Sequence, residues 1–173
     1  MIRDPDGIQI DKIDLEKFFI RHLNKIYAAK KLLALEMTQM IGQVHFSDLR
    51  EAMLHTVESV KSQIERMDQI YSILQAEFSE ADSCGLRSLV EDSFKDIEHY
   101  RGNPELRDMS ILFYLHNIEC IEMASFQMLE MGSVKLKNDQ VKRLIKQNYE
   151  DAKADRTLFL LISAKYISSV DHK

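Results

Sequence analysis

The stretch from Asn103 to Gly132, NPELRDMSILFYLHNIECIEMASFQMLEMG, constrains the chain more than any other. Asn103 and Pro104 supply a helix cap and a first-turn proline, and Gly132 supplies a stop, which predicts one helix across the stretch. Its apolar residues Ile111, Leu115, Ile118, Phe126 and Leu129 recur at spacings of three and four, apart from one gap. Glu122 fills that gap, and Glu119 lies one turn away on a neighbouring line. A carboxylate inside an apolar stripe is costly to bury unless its charge is compensated. Metal ions or cationic side chains from facing helices must supply that compensation.

The rest of the chain supports helices throughout. Five Gly and two Pro in 173 residues are few, and the alternation of half-buried strands is nearly absent, so an all-α fold is expected. One domain fits the length. The net charge of −5 is spread along the chain, with no basic stripe to neutralise phosphates, so nucleic acid is not an expected partner. Cys84 and Cys120 are too isolated for a disulfide scaffold or zinc finger. The beginning, MIRDPDGIQIDK, lacks the apolar core of a signal peptide, and the longest apolar run, Leu158 to Ile162, is too short to span a bilayer. The cytoplasm is therefore the expected compartment, with no membrane as partner.

Residues 1–12 read as a flexible leader, 13–168 as the domain and 169–173 as a polar tail. Asp14 is placed to cap the first long helix, with Ile13 and Phe18 as a hydrophobic staple across it. That helix is predicted to run to about Gly42 with the stripe Phe19, Leu23, Ile26, Lys30, Leu33, Met37 and Met40. Lys30 interrupts it as Glu122 interrupts the third, with the opposite charge. Ser47 would cap the second long helix, predicted to about residue 77, with the stripe Met53, Val57, Val60, Ile64, Met67, Tyr71 and Leu74. Beside that stripe runs a polar row of Glu58, Lys61, Glu65 and Asp68. A shorter amphipathic helix spans about 86–100. After a connection at 132–139, Asn138 or Asp139 would cap the fourth long helix. Its stripe is Val141, Leu144, Asn148, Ala152, Asp155, Phe159, Ile162 and Tyr166, with Asp151 one turn before Asp155.

Four long amphipathic helices, with a crossover over 78–103 (26 residues) that carries the short helix, predict a ferritin-like four-helix bundle. In ferritin-like carboxylate proteins two helices each project a Glu inward and the other two each add a Glu-x-x-His pair. Such oxygen and imidazole ligands suit iron, manganese or zinc.

HLNKIYAAKKLL (22–33), SQIERMDQIY (62–71), NIECIEMASFQML (117–129) and YEDAKADRTL (149–158) resemble the YciE/YciF-type ferritin-like proteins, a bacterial stress-associated group. The resemblance covers about residues 15–166 and implies a dimeric ferritin-like bundle with a dinuclear metal centre. Its ligand pattern carries over only in part. Where the group has a Glu after a Tyr-x-x pattern on the first helix, this chain has Tyr27 followed by Lys30. Where it has a Glu and His pair on the second, this chain has Glu58 and Lys61. Glu119 and Glu122 match on the third, although the His that often follows the first Glu is Cys120. The acidic cluster of the fourth survives as Glu150, Asp151 and Asp155. A protonated lysine cannot ligate a metal, and its charge repels a divalent ion.

The reading is thus a metal-free, non-catalytic member without a cofactor, acting as a homodimeric structural or binding module with no protein partner identified. Lys30 and Lys61 would pair with Glu58, Glu119, Glu122 and Asp155 in a buried ionic network. The alternative is a di-iron or di-manganese carboxylate protein with oxidase or peroxide activity, its ions held among Glu58, Glu119, Glu122, Asp151 and Asp155, with His55 as a substitute ligand. Plainer placements stay open as well: Glu119 and Glu122 on a surface, Lys30 snorkelling from an edge, Lys61 simply exposed. Cys120 reads as a small buried filler or a reactive thiol, and Met123, Met128 and Met131 as core or dimer contacts.

Overall fold

The computed structural model describes residues 11–168. Apart from Asp11 and Lys12, which open the first helix, the expected leader and tail lie outside the described residues. Among the described residues five helices run in order: α1 Lys12–Met40, α2 Ser47–Leu74, α3 Leu86–Ile97, α4 Pro104–Leu136 and α5 Asp139–Ser168. Single 3-10 turns follow α1, precede α3 and follow α3.

The four long helices form a ferritin-like bundle in which α1 packs on α2 and α4, and α5 packs on the same two. Specific contacts fix the directions. Tyr71 near the end of α2 donates to Asn24 in the first half of α1, and Lys30 of α1 meets Glu119 and Glu122 of α4. Thr56 and Gln63 of α2 meet Asp155 and Asn148 of α5. Each of these neighbouring pairs is antiparallel, so the chain leaving α2 must traverse the length of the bundle to begin α4. That traverse is the crossover, and α3 within it lies on α1 and α4.

The stripes read from the sequence face inward. Phe19, Leu23, Ile26, Leu33, Met37 and Met40 of α1 are buried, as are Ile111, Leu115, Ile118, Phe126 and Leu129 of α4. The apolar core is divided in two. One half gathers Leu33, Met37, Met53, Val57, Ile111, Leu115, Phe159 and Ile162. The other gathers Phe19, Leu23, Met67, Ile70, Phe126, Val141 and Ile145. A layer of buried polar side chains lies between them. Among the described residues no helix is long and apolar enough to cross a membrane.

Several helix ends differ from expectation. Asp11, not Asp14, caps α1, its carboxylate accepting from Ile13 N at 3.4 Å. The staple does not form, because Ile13 and Phe18 are both largely exposed. Ser47 is the first helical residue of α2 rather than its cap. Among the described residues no side chain caps α2; Asp108 of α4 instead anchors the backbone just before it, accepting from His45 N at 2.7 Å and Phe46 N at 2.6 Å. Asn103 does cap α4, accepting from Leu106 N at 3.1 Å. Gly132 does not stop that helix, which continues to Leu136 and closes at Lys137 in the left-handed region, φ 53°. A mid-helix glycine costs only about 1 kcal/mol relative to alanine, and burying Ser133 and Leu136 beyond it extends the packed face. Only Lys137 and Asn138 then separate α4 from α5, and Asn138 accepts from Gln140 N and Val141 N, both at 3.1 Å.

Candidate functional site: a buried ammonium and carboxylate layer

The stripe positions at which α1 and α4 depart from apolar character fall at the same height in the bundle. Lys30 is wholly buried, and its Nζ lies 3.4 Å from Glu119 Oε2 and 3.5 Å from Glu119 Oε1. The same ammonium forms an ion pair with Glu122 Oε2. Among the described residues Glu122 Oε1 has no hydrogen-bond partner, although the residue is 1 % exposed. Asp155 of α5, also 1 % exposed, adds a third carboxylate. It accepts from Thr56 Oγ1 at 3.1 Å and Ser59 Oγ at 2.8 Å, both on α2.

Below these residues the polar layer continues along the α2/α5 seam. Gln63 donates to Ser59 Oγ at 3.1 Å, Asn148 donates to the Gln63 carbonyl at 3.3 Å, and Arg66 Nε donates to Asn148 Oδ1 at 2.5 Å. Arg66 also pairs with Asp151. Every long helix therefore contributes to the layer.

Charge in this layer is unequal: three buried carboxylates surround one ammonium. Burial works against the charge of Lys30, and the carboxylates of Glu119 and Glu122 overcome it, holding the ammonium above its ordinary range. Burial pushes Glu119 well above the usual carboxylate range, with Lys30 opposing and Glu122 and Asp155 adding to the rise. Glu122 is raised for the same reason. Asp155 is raised by burial despite its hydroxyl donors and the Lys30 charge. One cation balances one carboxylate, so the layer favours protonation of the others.

The structure places the remaining site candidates elsewhere. Glu58 and Lys61 pair with each other at 2.6 Å on the surface, their side chains 73 % and 56 % exposed, and neither joins the layer. The reason is angular. Val57 and Val60 point inward, so residues one position on are turned about 100° away, while Thr56, Ser59 and Gln63 take the inward polar places. These uncharged residues interrupt no obvious pattern; their only signal is the spacing of 56, 59 and 63 at helical intervals. Asp151 is half-exposed and held by Arg66. His55 brings Nδ1 to 3.8 Å from Asp155 Oδ1 from a largely exposed position at the rim. Glu150 pairs at the surface with Lys153.

A dinuclear metal centre needs several unprotonated oxygen or nitrogen donors around a shared space. Here an ammonium contacts both α4 glutamates, α2 offers hydroxyls and an amide, and Asp151 is neutralised by a guanidinium. Among the described residues no three His, Cys, Asp or Glu side chains are grouped to hold a metal ion. The residues present do not fit such a centre.

Fold and layer together define a ferritin-like four-helix bundle with a charged core in which lysine faces the carboxylates. The chain belongs to the family described as "Domain of unknown function (DUF892)", whose sequence model matches residues 14–166. It is 26 % identical over 141 residues to Protein YciF of Escherichia coli (strain K12), covering 81 % of this chain and 84 % of that protein. The crystal structure of the E. coli stress protein YciF superposes with a TM-score of 0.81 at 21 % identity, covering 90 % of this chain and 98 % of that one. YcfI from Rhodopseudomonas palustris superposes with a TM-score of 0.74 at 23 % identity, covering 90 % and 96 %. These likenesses bear out the expected group and its fold.

Proposed function

We propose that this chain is a non-catalytic ferritin-like protein in which an internal ammonium takes the place of the metal centre, and that it serves as a dimeric structural or binding module. The observation that carries the reading is Lys30, wholly buried and in contact with both Glu119 and Glu122. A lysine there stabilises the carboxylates without any ion from solution, and its charge opposes a divalent cation at the same point. The name of the E. coli relative, a stress protein, supports a stress-related use. Two free thiols support a reducing, cytoplasmic setting.

Self-association is supported by the α1/α4 face. Phe18 and Met128 are more than half exposed and line a groove of about 380 Å³ with Ile26, Leu86 and Leu129. Met131 is exposed nearby on α4, whereas Met123 packs against the core.

Metal content is the decisive measurement. Protein incubated with ferrous or manganous ion and then desalted is expected to retain no stoichiometric metal by plasma mass spectrometry. Retention of an equivalent or more overturns the reading. Light scattering is expected to give twice the 20.2 kDa chain mass, and Met128→Glu to reduce it to one chain.

A further inference from the structure

On the face where α4 packs on α5, three side chains meet outside the buried layer. Arg156 Nε of α5 donates to Cys120 Sγ of α4 at 3.1 Å. His116, one turn earlier on α4, brings Nε2 to 3.7 Å from the same sulfur. Its other ring nitrogen, Nδ1, lies 3.4 Å from the Arg156 carbonyl oxygen. A carbonyl only accepts, so Nδ1 carries the hydrogen and Nε2 of the neutral ring presents a lone pair to the thiol. The sulfur thus has a base on one side to take its proton and a guanidinium on the other to stabilise the anion, the arrangement of an attacking thiol. All three residues are half-buried, so the sulfur is neither sealed in the core nor fully in water.

His116 also lines a cavity of about 220 Å³ on this face, walled mainly by Leu112, Phe113, Leu160 and Tyr166. Phe113 and Leu160 are substantially exposed, so the cavity is open to solvent. Its walls suit an apolar body, and among the described residues its basic edge is the imidazole that reaches Cys120.

We propose that Cys120 is a reactive thiol that takes the terminal oxygen of an organic hydroperoxide whose apolar part lodges in this cavity. His116 Nε2 removes the thiol proton, and the thiolate attacks the distal peroxide oxygen. The S–O bond forms as the O–O bond breaks, and the electron pair leaves with the alkoxide, which takes the proton from His116. Sulfur is oxidised to a sulfenic acid and the hydroperoxide is reduced to an alcohol. This site is separate from the Lys30 layer and does not depend on whether that layer binds metal.

The second free thiol, Cys84, is exposed and serves as an internal control. The full chain is treated with cumene hydroperoxide in the presence of dimedone, and labelling at the two cysteines is followed by peptide mass spectrometry. Although Cys84 is the more accessible, Cys120 is expected to label on the order of tenfold faster. Arg156→Gln and His116→Gln, checked by circular dichroism to be folded, are expected to remove that advantage. Leu160→Glu is expected to slow labelling by cumene hydroperoxide while leaving that by hydrogen peroxide unchanged. Equal or faster labelling of Cys84, or an undiminished Cys120 rate in both the Arg156 and His116 variants, overturns the proposal. An undiminished cumene hydroperoxide rate in Leu160→Glu overturns the role of the cavity.

Discussion

The Nζ of Lys30 stands 3.4 Å from Oε2 of Glu119, and neither side chain has any exposed surface. Removing one partner of a buried ion pair leaves the other uncompensated, which costs about 3–5 kcal/mol. Lys30→Met is therefore expected to lower the unfolding free energy by ~3–5 kcal/mol, read from urea denaturation midpoints and slopes. Adding Glu119→Gln to that variant removes part of the uncompensated charge, so the double variant is expected to lose less than the two single losses combined. An unchanged midpoint in Lys30→Met would mean that Lys30 does not compensate the layer.

The layer also sets the sign of a pH dependence. Glu119, Glu122 and Asp155 are all raised in the folded protein, chiefly by burial. A raised carboxyl binds more protons folded than unfolded, so its contribution is fully present below its unfolded value and is lost as pH rises through the folded one. Starting from the ordinary glutamate value of 4.5, stability from these groups is expected to decline toward neutral pH. Glu119→Gln, which mimics the protonated form, is expected to flatten that decline in denaturation midpoints taken between mild acid and neutrality. Lys30 acts at the far end of the scale: also raised, it contributes below its ordinary value of 10.5 and is lost only in stronger alkali. Lys30→Met should then be less harmful in mild acid, where protonation of the carboxyls replaces the missing cation.

Helical periodicity made the bundle legible, because a stripe of large apolar residues has few other ways to be buried. It also exposed Lys30, Glu122 and Asp155, since a charge inside such a stripe breaks a pattern that neighbouring residues define, and Glu119 entered only as the carboxylate one turn from Glu122 on a neighbouring line. What it could not give was the α2 contribution. Thr56, Ser59 and Gln63 are small or uncharged and break nothing, whereas the conspicuous charges Glu58 and Lys61 lie one step round the helix, in water. Helix ends were hidden for a different reason. Asp108 lies sixty-two positions along the chain from Phe46, from whose N–H it accepts, and no local capping rule can find an anchor supplied by the fold.

Glu58 and Lys61 accordingly give a sharp negative expectation. They form an exposed i, i+3 pair, screened by solvent and joined to nothing in the core. Glu58→Gln and Lys61→Met are each expected to stay within about 0.5 kcal/mol of the parent in denaturation. A loss comparable to that of Lys30→Met would mean that these residues turn inward and that the layer is larger than the one described.

The final expectation concerns Asp108, which ties the start of α4 to the start of α2. It is wholly buried, and one carboxylate oxygen, Oδ2, accepts from both His45 N and Phe46 N. Burial raises this carboxyl, and the two backbone donors, with Arg107 beside it, oppose that rise. Asp108→Ala strands two N–H groups at the entrance to α2, with an expected loss of ~1–3 kcal/mol. Asp108→Asn keeps a side-chain oxygen able to accept and is expected to lose less. Hydrogen exchange localises the effect: the amides of His45 and Phe46 should exchange faster in the alanine variant than those of Leu106 at the Asn103 cap, which holds the opening of α4 independently. If all three amides accelerate together, Asp108 supports the whole end of the bundle rather than anchoring the entrance to α2.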